Sequence, residues 1–386
     1  MQKITVFTST RAEYGLLYWV IKNLHDSEDF ELQLIVTGTH LSHEYGYTVN
    51  DIIADGFTPA ECIATLICDD SPQAITRSSA LLAMALADYF AREKPDYFIV
   101  LGDRVELLAA CEAAMIAKIP IVHLHGGEIT EGAVDDKVRH AISKLASLHF
   151  TSAEAYRRRV IQMGESPERV FNCGALGLES LARQGILARE KMAEMVGIGP
   201  QEKYFLVVYH PETNKDAENI DALLAALSDY SDIKKVIIYP NADMMSRDII
   251  VAIEDFAARF PDDVVLIKSL QREFYLSLMQ HCELYIGNSS SGIIEMPSLK
   301  RPVINIGDRQ KGRIRSASTL DVQLDYQEIS EAIRKGLSEA FRDYMLGVEN
   351  PYHGDSPSSV IVKDHFRVSK RNSLMWNSYY ECLCNC

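Results

Sequence analysis

No stretch of this chain is apolar for long enough to cross a bilayer, which takes roughly 18 or more consecutive residues. Residues 80–87 stop at Asp88, and 107–117 contain Glu112. The opening Met1-Gln2-Lys3-Ile4-Thr5-Val6-Phe7-Thr8-Ser9 has one cation and too short an apolar run for a secretory signal. A cytoplasmic protein is expected. Positive charge is scarce: 39 Lys and Arg against 54 Asp and Glu leave a formal charge of −15. Nucleic acids and anionic membranes are bound mainly through excess Lys and Arg, so neither is an expected partner. A small anion held by a few local arginines is not excluded by that balance.

Metal-ligand spacing is absent from Cys62, Cys68, Cys111, Cys173 and Cys282, and Cys382, Cys384 and Cys386 have no histidine nearby. Reduced structural thiols and no metal are expected. Two nucleotide signatures are also missing. Neither GxGxxG nor GxxxxGK[ST] occurs, and Gly197-Ile198-Gly199 precedes an expected strand instead of following one. NAD-linked and ATP-cleaving chemistry lose their support, and no cofactor is expected.

What is present is enough chain for two domains: 386 residues, 47% hydrophobic and 24% charged, near the soluble globular norm. Short β-branched runs at 3–9, 31–37, 97–101, 120–124 and 148–151 alternate with helical spacing at 14–24, 71–91, 105–117 and 136–146. Several of these runs are apolar on both faces, the mark of parallel strands covered by helices. The second half repeats the pattern, with strands at 204–209, 235–239, 264–268, 284–286 and 302–306 and helices at 216–227, 246–260, 272–281 and 292–299. Segment 197–202 reads as the link. The expected architecture is α/β, with two doubly wound, Rossmann-like domains, 1–195 and 196–368, facing across a cleft. Residues 369–386 read as a poorly ordered tail.

In such sheets ligands lie beyond the carboxyl ends of the strands. After the first strand comes Thr8-Ser9-Thr10-Arg11-Ala12-Glu13-Tyr14-Gly15, hydroxyls and an arginine at a helix start suited to phosphate. Later strand ends supply Gly102-Asp103-Arg104, then His123-Leu124-His125-Gly126-Gly127-Glu128, then Asp135-Asp136. Carboxylates gathered in one place raise each other's pKa, so that an acid and a base coexist near neutral pH. The break at Gly126-Gly127 puts His125 at a strand end and His123 inside. His40 and His43 have tolerable ligand spacing, and His40 is kept as a substrate-binding candidate. In the second half, Tyr209-His210-Pro211-Glu212, Pro240-Asn241, Gly287-Asn288-Ser289-Ser290-Ser291-Gly292 and Gly307-Asp308-Arg309 follow strands. The hydroxyl-rich turn opening a helix suits an anion, and Glu295, one turn on, suits a ribose diol.

Taken in order, these segments, with Arg139-His140-Ala141 and Asn305-Ile306-Gly307, resemble the UDP-N-acetylglucosamine 2-epimerase family. They most resemble its hydrolysing branch, which makes precursors of sialic and legionaminic acids. The likeness runs from about residue 3 to about residue 366. It implies a glycosyltransferase-B-like fold with UDP held mainly by the C-terminal domain, a UDP-sugar substrate, and a homodimer or homotetramer. It also implies a two-step reaction: loss of the C2 proton with anti elimination of UDP, then addition of water to the 2-acetamidoglycal. By position, Asp103, Glu128 and Asp135 or Asp136 would move protons. His210, Arg11, Ser289, Ser290 and Arg309 would hold the diphosphate beside Arg104, Glu295 would take the ribose, and Asn241 would lie near the nucleotide. Several relatives have a carboxylate where this chain has His125, so either His125 or Glu128 takes that role. UDP-GlcNAc and UDP-2,4-diacetamido-2,4,6-trideoxyglucose both stay open as substrates, as do a non-hydrolysing epimerase and a glycosyltransferase as alternatives.

Overall fold

A computed structural model describes residues 1–67, 69, 71–183, 185–212, 219–240, 246–268, 270–354 and 356–363. Asn241 and the segment 369–386 lie outside the described residues. The first sheet holds β1 (Gln2–Thr8), β2 (Phe30–Thr37), β3 (Glu61–Ile63), β4 (Tyr97–Leu101), β5 (Ile121–Leu124), β6 (Leu148–Thr151) and β7 (Val170–Asn172) in the order β3-β2-β1-β4-β5-β6-β7. The second holds β8 (Tyr204–Val208), β9 (Lys234–Ile238), β10 (Val264–Ile267), β11 (Leu284–Gly287), β12 (Val303–Ile306) and β13 (Thr319–Val322) in the order β10-β9-β8-β11-β12-β13. All paired neighbours are parallel. Each order reverses beside its first strand, at β1/β4 and at β8/β11. Ligands of doubly wound sheets bind at that switch.

The ten expected strands are found. The three unexpected ones, β3, β7 and β13, lie at sheet edges, where a short strand needs no continuous apolar run. Helix starts follow local chemistry. Ser71 caps the helix Pro72–Glu93, and Thr10 caps Arg11–His25 by accepting the Glu13 N–H at 3.3 Å. The expected helix 292–299 is broken. Ser290–Ile294 is helical, and Pro297, with no N–H to give, leaves only a 3₁₀ turn at Met296–Leu299.

The chain divides into two compact units, and their boundaries differ from the expected 195/196 division. The first contains 1–128, 135–180 and, among described residues, 352–363; the second contains 129–134 and 181–351. Burial explains the reassignment. Helix Arg189–Val196 buries Met192, Ala193 and Val196 with Tyr204, Leu206 and Val236 of the second unit. Helix Pro357–Lys363 buries Ile361 and Val362 among Leu17, Val20 and Ile21 of the first. Glu179 secures its start, accepting the Ser358 N–H at 2.7 Å and hydroxyl at 2.6 Å. Segment 129–134 runs along 308–312, with the Glu131 N–H on the Lys311 carbonyl at 3.0 Å. A Cβ on Gly132 would meet the Asp308 carbonyl oxygen at 2.5 Å, so only glycine allows that approach.

Candidate active site

In the first unit, five of the expected residues, Asp103, His125, Glu128, Asp135 and Asp136, gather at the ends of β4 and β5 and the start of helix Asp135–Leu145. Their organiser is Arg139, which is 0% exposed. Its guanidinium pairs with the Asp103 carboxylate, donates to the Glu128 carbonyl at 3.0 Å and faces Asp136 at 3.5 Å. Asp103 and Asp136 keep about a quarter of their side chains open, at 25% and 26%. Sequence alone leaves like charges facing one another; the fold puts a buried cation between two of them. Glu128 is buried and accepts the Ser152 hydroxyl at 2.6 Å. Asp135 opens the same helix. Arg139 falls three residues after Asp136, the spacing that shares a helix face, whereas no local pattern marks Ser152.

His125 ends β5 in the left-handed region, at φ +62°, a conformation that costs a non-glycine residue and clusters at functional sites. Its Nε2 accepts the Leu176 N–H at 3.2 Å, so in the neutral ring Nδ1 carries the proton and faces Glu128 Oε1 at 3.4 Å. Neighbouring His123 is fully buried between the Gly102 carbonyl at 2.7 Å and Ser143 Oγ at 3.1 Å, and burial pushes its pKa down to about 3.

His40, a substrate-binding candidate, lies inside the first unit. It is 0% exposed, with Nε2 3.0 Å from Thr8 Oγ1 and Nδ1 2.7 Å from Thr48 Oγ1, and burial lowers its pKa to about 4. Arg11 and Arg104 already face carboxylates, Asp51 at 3.5 Å and Glu106 at 2.7 Å. Local spacing also marks Glu13. It is the third residue after the Thr10 cap, the place where a capping-box glutamate reaches back. Its Oε2 accepts the Ser9 N–H at 2.7 Å and hydroxyl at 3.0 Å. Burial raises its pKa to about 7 against those bonds, and nearby Glu106 adds to the rise.

The second unit gathers its own set at the β8/β11 switch. Asn288 joins the two strand ends reciprocally: Oδ1 accepts the His210 N–H and Nδ2 donates to the His210 carbonyl, both at 2.8 Å. Arg309 Nη1 and Gln310 Nε2 reach the Asn288 carbonyl at 3.2 and 2.8 Å. Ser289 and Ser290 stand at the start of the five-residue helix Ser290–Ile294, and Ser289 Oγ is 3.0 Å from Ser291 Oγ. Glu295 is buried and paired with Arg272 at 2.8 Å. His210, Ser289, Ser290, Glu295 and Arg309 therefore belong to one unit, and Asp103, His125, Glu128, Asp135, Asp136, Arg11, Arg104 and His40 to the other.

Two parallel, doubly wound sheets of this order define a glycosyltransferase-B-like α/β protein. The backbone matches the solved UDP-GlcNAc 2-epimerase from Neisseria meningitidis bound to UDP-GlcNAc with a TM-score of 0.79 and 19% identity, over 94% of this chain and 99% of that one. The sequence model of the UDP-N-acetylglucosamine 2-epimerase family matches residues 22–364. The hydrolysing UDP-N,N'-diacetylbacillosamine 2-epimerase of Legionella pneumophila is 38% identical over 93% of this chain and 94% of its own. Polysialic acid biosynthesis protein P7 of Escherichia coli is 35% identical over 99% of both. The chain belongs to the UDP-N-acetylglucosamine 2-epimerase family.

Proposed function

We propose that this protein is a hydrolysing UDP-sugar 2-epimerase. It takes UDP-GlcNAc or UDP-2,4-diacetamido-2,4,6-trideoxyglucose to the free manno-configured sugar and UDP. The observation that carries this reading is the grouping of Asp103, Glu128 and Asp136 around buried Arg139. Family membership and the hydrolysing Legionella relative support it.

In the first step a base takes the C2 proton, the C–H electrons form the C1=C2 double bond, and the C1–O electrons leave with UDP. In the second, water adds at C1 and a proton returns to C2 on the opposite face. Two proton-transfer groups are therefore required, one for each face. Asp103, Glu128 and Asp135 or Asp136 supply them, with His125 orienting Glu128. The leaving diphosphate needs donors aimed at developing negative charge. We assign His210, Ser289, Ser290 and Arg309 to it, with Arg11 and Arg104 in support, and Glu295 to the ribose. The N-terminal unit thus carries the acid/base residues with Arg11 and Arg104, and the C-terminal unit the other UDP-binding ones, in a cytoplasmic homodimer or homotetramer.

Incubation with each UDP-sugar in D2O, followed by NMR, tests this. The expected products are UDP and a free manno sugar carrying deuterium at C2. Release of unlabelled sugar, or an equilibrium that retains UDP-ManNAc, would overturn it.

A further inference from the structure

Behind the turn at Gly287–Gly292 lie four hydroxyls in one connected set. Tyr275 Oη is 2.6 Å from Ser291 Oγ and 3.2 Å from Tyr285 Oη. Tyr285 Oη is 3.3 Å from Ser291 Oγ, and Ser291 Oγ is 3.0 Å from Ser289 Oγ. Tyr285 is wholly buried in β11, Ser291 is nearly buried, and Ser289 is the half-buried member. Tyr275 reaches the set from helix Arg272–His281. Burial raises both tyrosine pKa values, which keeps the phenols as neutral donors.

Each hydroxyl has a single proton to give and two lone pairs with which to accept. When Tyr285 donates to Tyr275, Tyr275 to Ser291 and Ser291 to Ser289, three protons are spent inside the set. The Ser289 proton is then the one left for an acceptor outside it. The reverse polarity turns that proton inward and leaves oxygen lone pairs facing out. An anion beside Ser289 selects the first polarity, and a chain of hydroxyls donating in one direction strengthens its last donor.

We propose that Tyr275, acting through Ser291, is a positioning residue that aims the Ser289 hydroxyl proton at the diphosphate of the bound nucleotide. The inference rests on the assignment of Ser289 to the diphosphate made above. Tyr275 touches neither substrate nor reacting atoms in this role, so its removal weakens nucleotide binding without changing the proton chemistry.

The experiment is a double-mutant cycle read by calorimetric titration of UDP into the full-length protein. Tyr275→Phe keeps the ring and removes the hydroxyl. Ser291→Ala, a second variant, cuts the link without altering the helix. Each is expected to weaken UDP binding about three- to tenfold, the weight of one neutral hydrogen bond. In a Ser289→Ala background the Tyr275→Phe effect is expected to vanish, because the group it orients is gone. Uridine, followed by ligand-observed NMR, is expected to bind the wild type and Tyr275→Phe equally. An undiminished effect in the Ser289→Ala background, or equal weakening of uridine, would show a merely structural role and overturn the proposal. Normal UDP affinity in both Tyr275→Phe and Ser291→Ala would do the same while leaving the nucleotide assignment intact. A wild-type protein that fails to bind UDP removes that assignment, and this proposal with it.

Discussion

Glu13 shows how far one residue's chemistry depends on where the fold puts it. As the third residue after a threonine cap it is an ordinary helix-start glutamate, but the fold buries its carboxyl, and that burial, with nearby Glu106, raises its pKa from 4.5 to about 7. The folded protein therefore holds a proton there that the unfolded chain releases. The sign follows: the stability this group contributes is present below about pH 4.5 and is lost as pH rises through about 7. Glu13→Gln keeps an acceptor for the Ser9 N–H and cannot ionise. Urea unfolding of the wild type and the variant at pH 5 and pH 8 is expected to show the wild type losing stability relative to Glu13→Gln on going to pH 8. Parallel pH profiles would contradict this assignment. His40 has the opposite sign. Its lowered pKa, about 4, makes its contribution present above about 6.5 and lost as pH falls towards 4.

At the scale of elements, the helix Asp135–Leu145 turns a set of acids into a site. It begins with Asp135 and Asp136 and brings Arg139, one turn later, against the ends of β4 and β5. A planar guanidinium spreads fixed donors over Asp103, Asp136 and the Glu128 carbonyl; an ammonium, with three donors on one tetrahedral nitrogen, does not reproduce that fork. Arg139→Lys is therefore expected to lower kcat about 100-fold, as misplaced reacting groups do, with little change in UDP affinity. Steady-state kinetics and UDP titration check this, and a loss confined to KM would contradict it. The turn after β11 depends on a different device. Gly287 has φ +143°, and a Cβ there would collide with the Val208 carbonyl oxygen, so the approach of β8 and β11 that lets Asn288 bridge to His210 requires glycine.

For the whole molecule, the way the chain crosses between units matters more than the two-fold repeat of its pattern. Residues 352–363 return to the first unit, where Ile361 and Val362 complete a core with Leu17, Val20 and Ile21. Ile361→Ala is expected to cost about 2–5 kcal/mol, the usual range for such a truncation in a core. Hydrogen exchange should show faster opening in helix Arg11–His25, with strands β8 to β12 unaffected. Protection lost in the second sheet and kept in the first would show that this helix belongs with the other unit. The segment 129–134 crosses in the opposite sense: it follows Glu128 and precedes Asp135, yet packs with the loop that carries Arg309.

The sequence by itself determined the parallel α/β grammar, ten of the strands and which strand ends carry acids, hydroxyls and arginines. Those features are written in local apolar runs and in the residues that follow them. It also supported the family, because the segments recur in order. Edge strands β3, β7 and β13 are not legible in it, because half-exposed pairing leaves little apolar pattern. Only the tertiary structure decided that Arg139 lies between Asp103 and Asp136, that His40 is buried and that 352–363 belongs with the first unit. Each of these depends on contacts between segments distant in the chain. Burial and charge pairing there are set by what packs alongside, and local spacing does not record it.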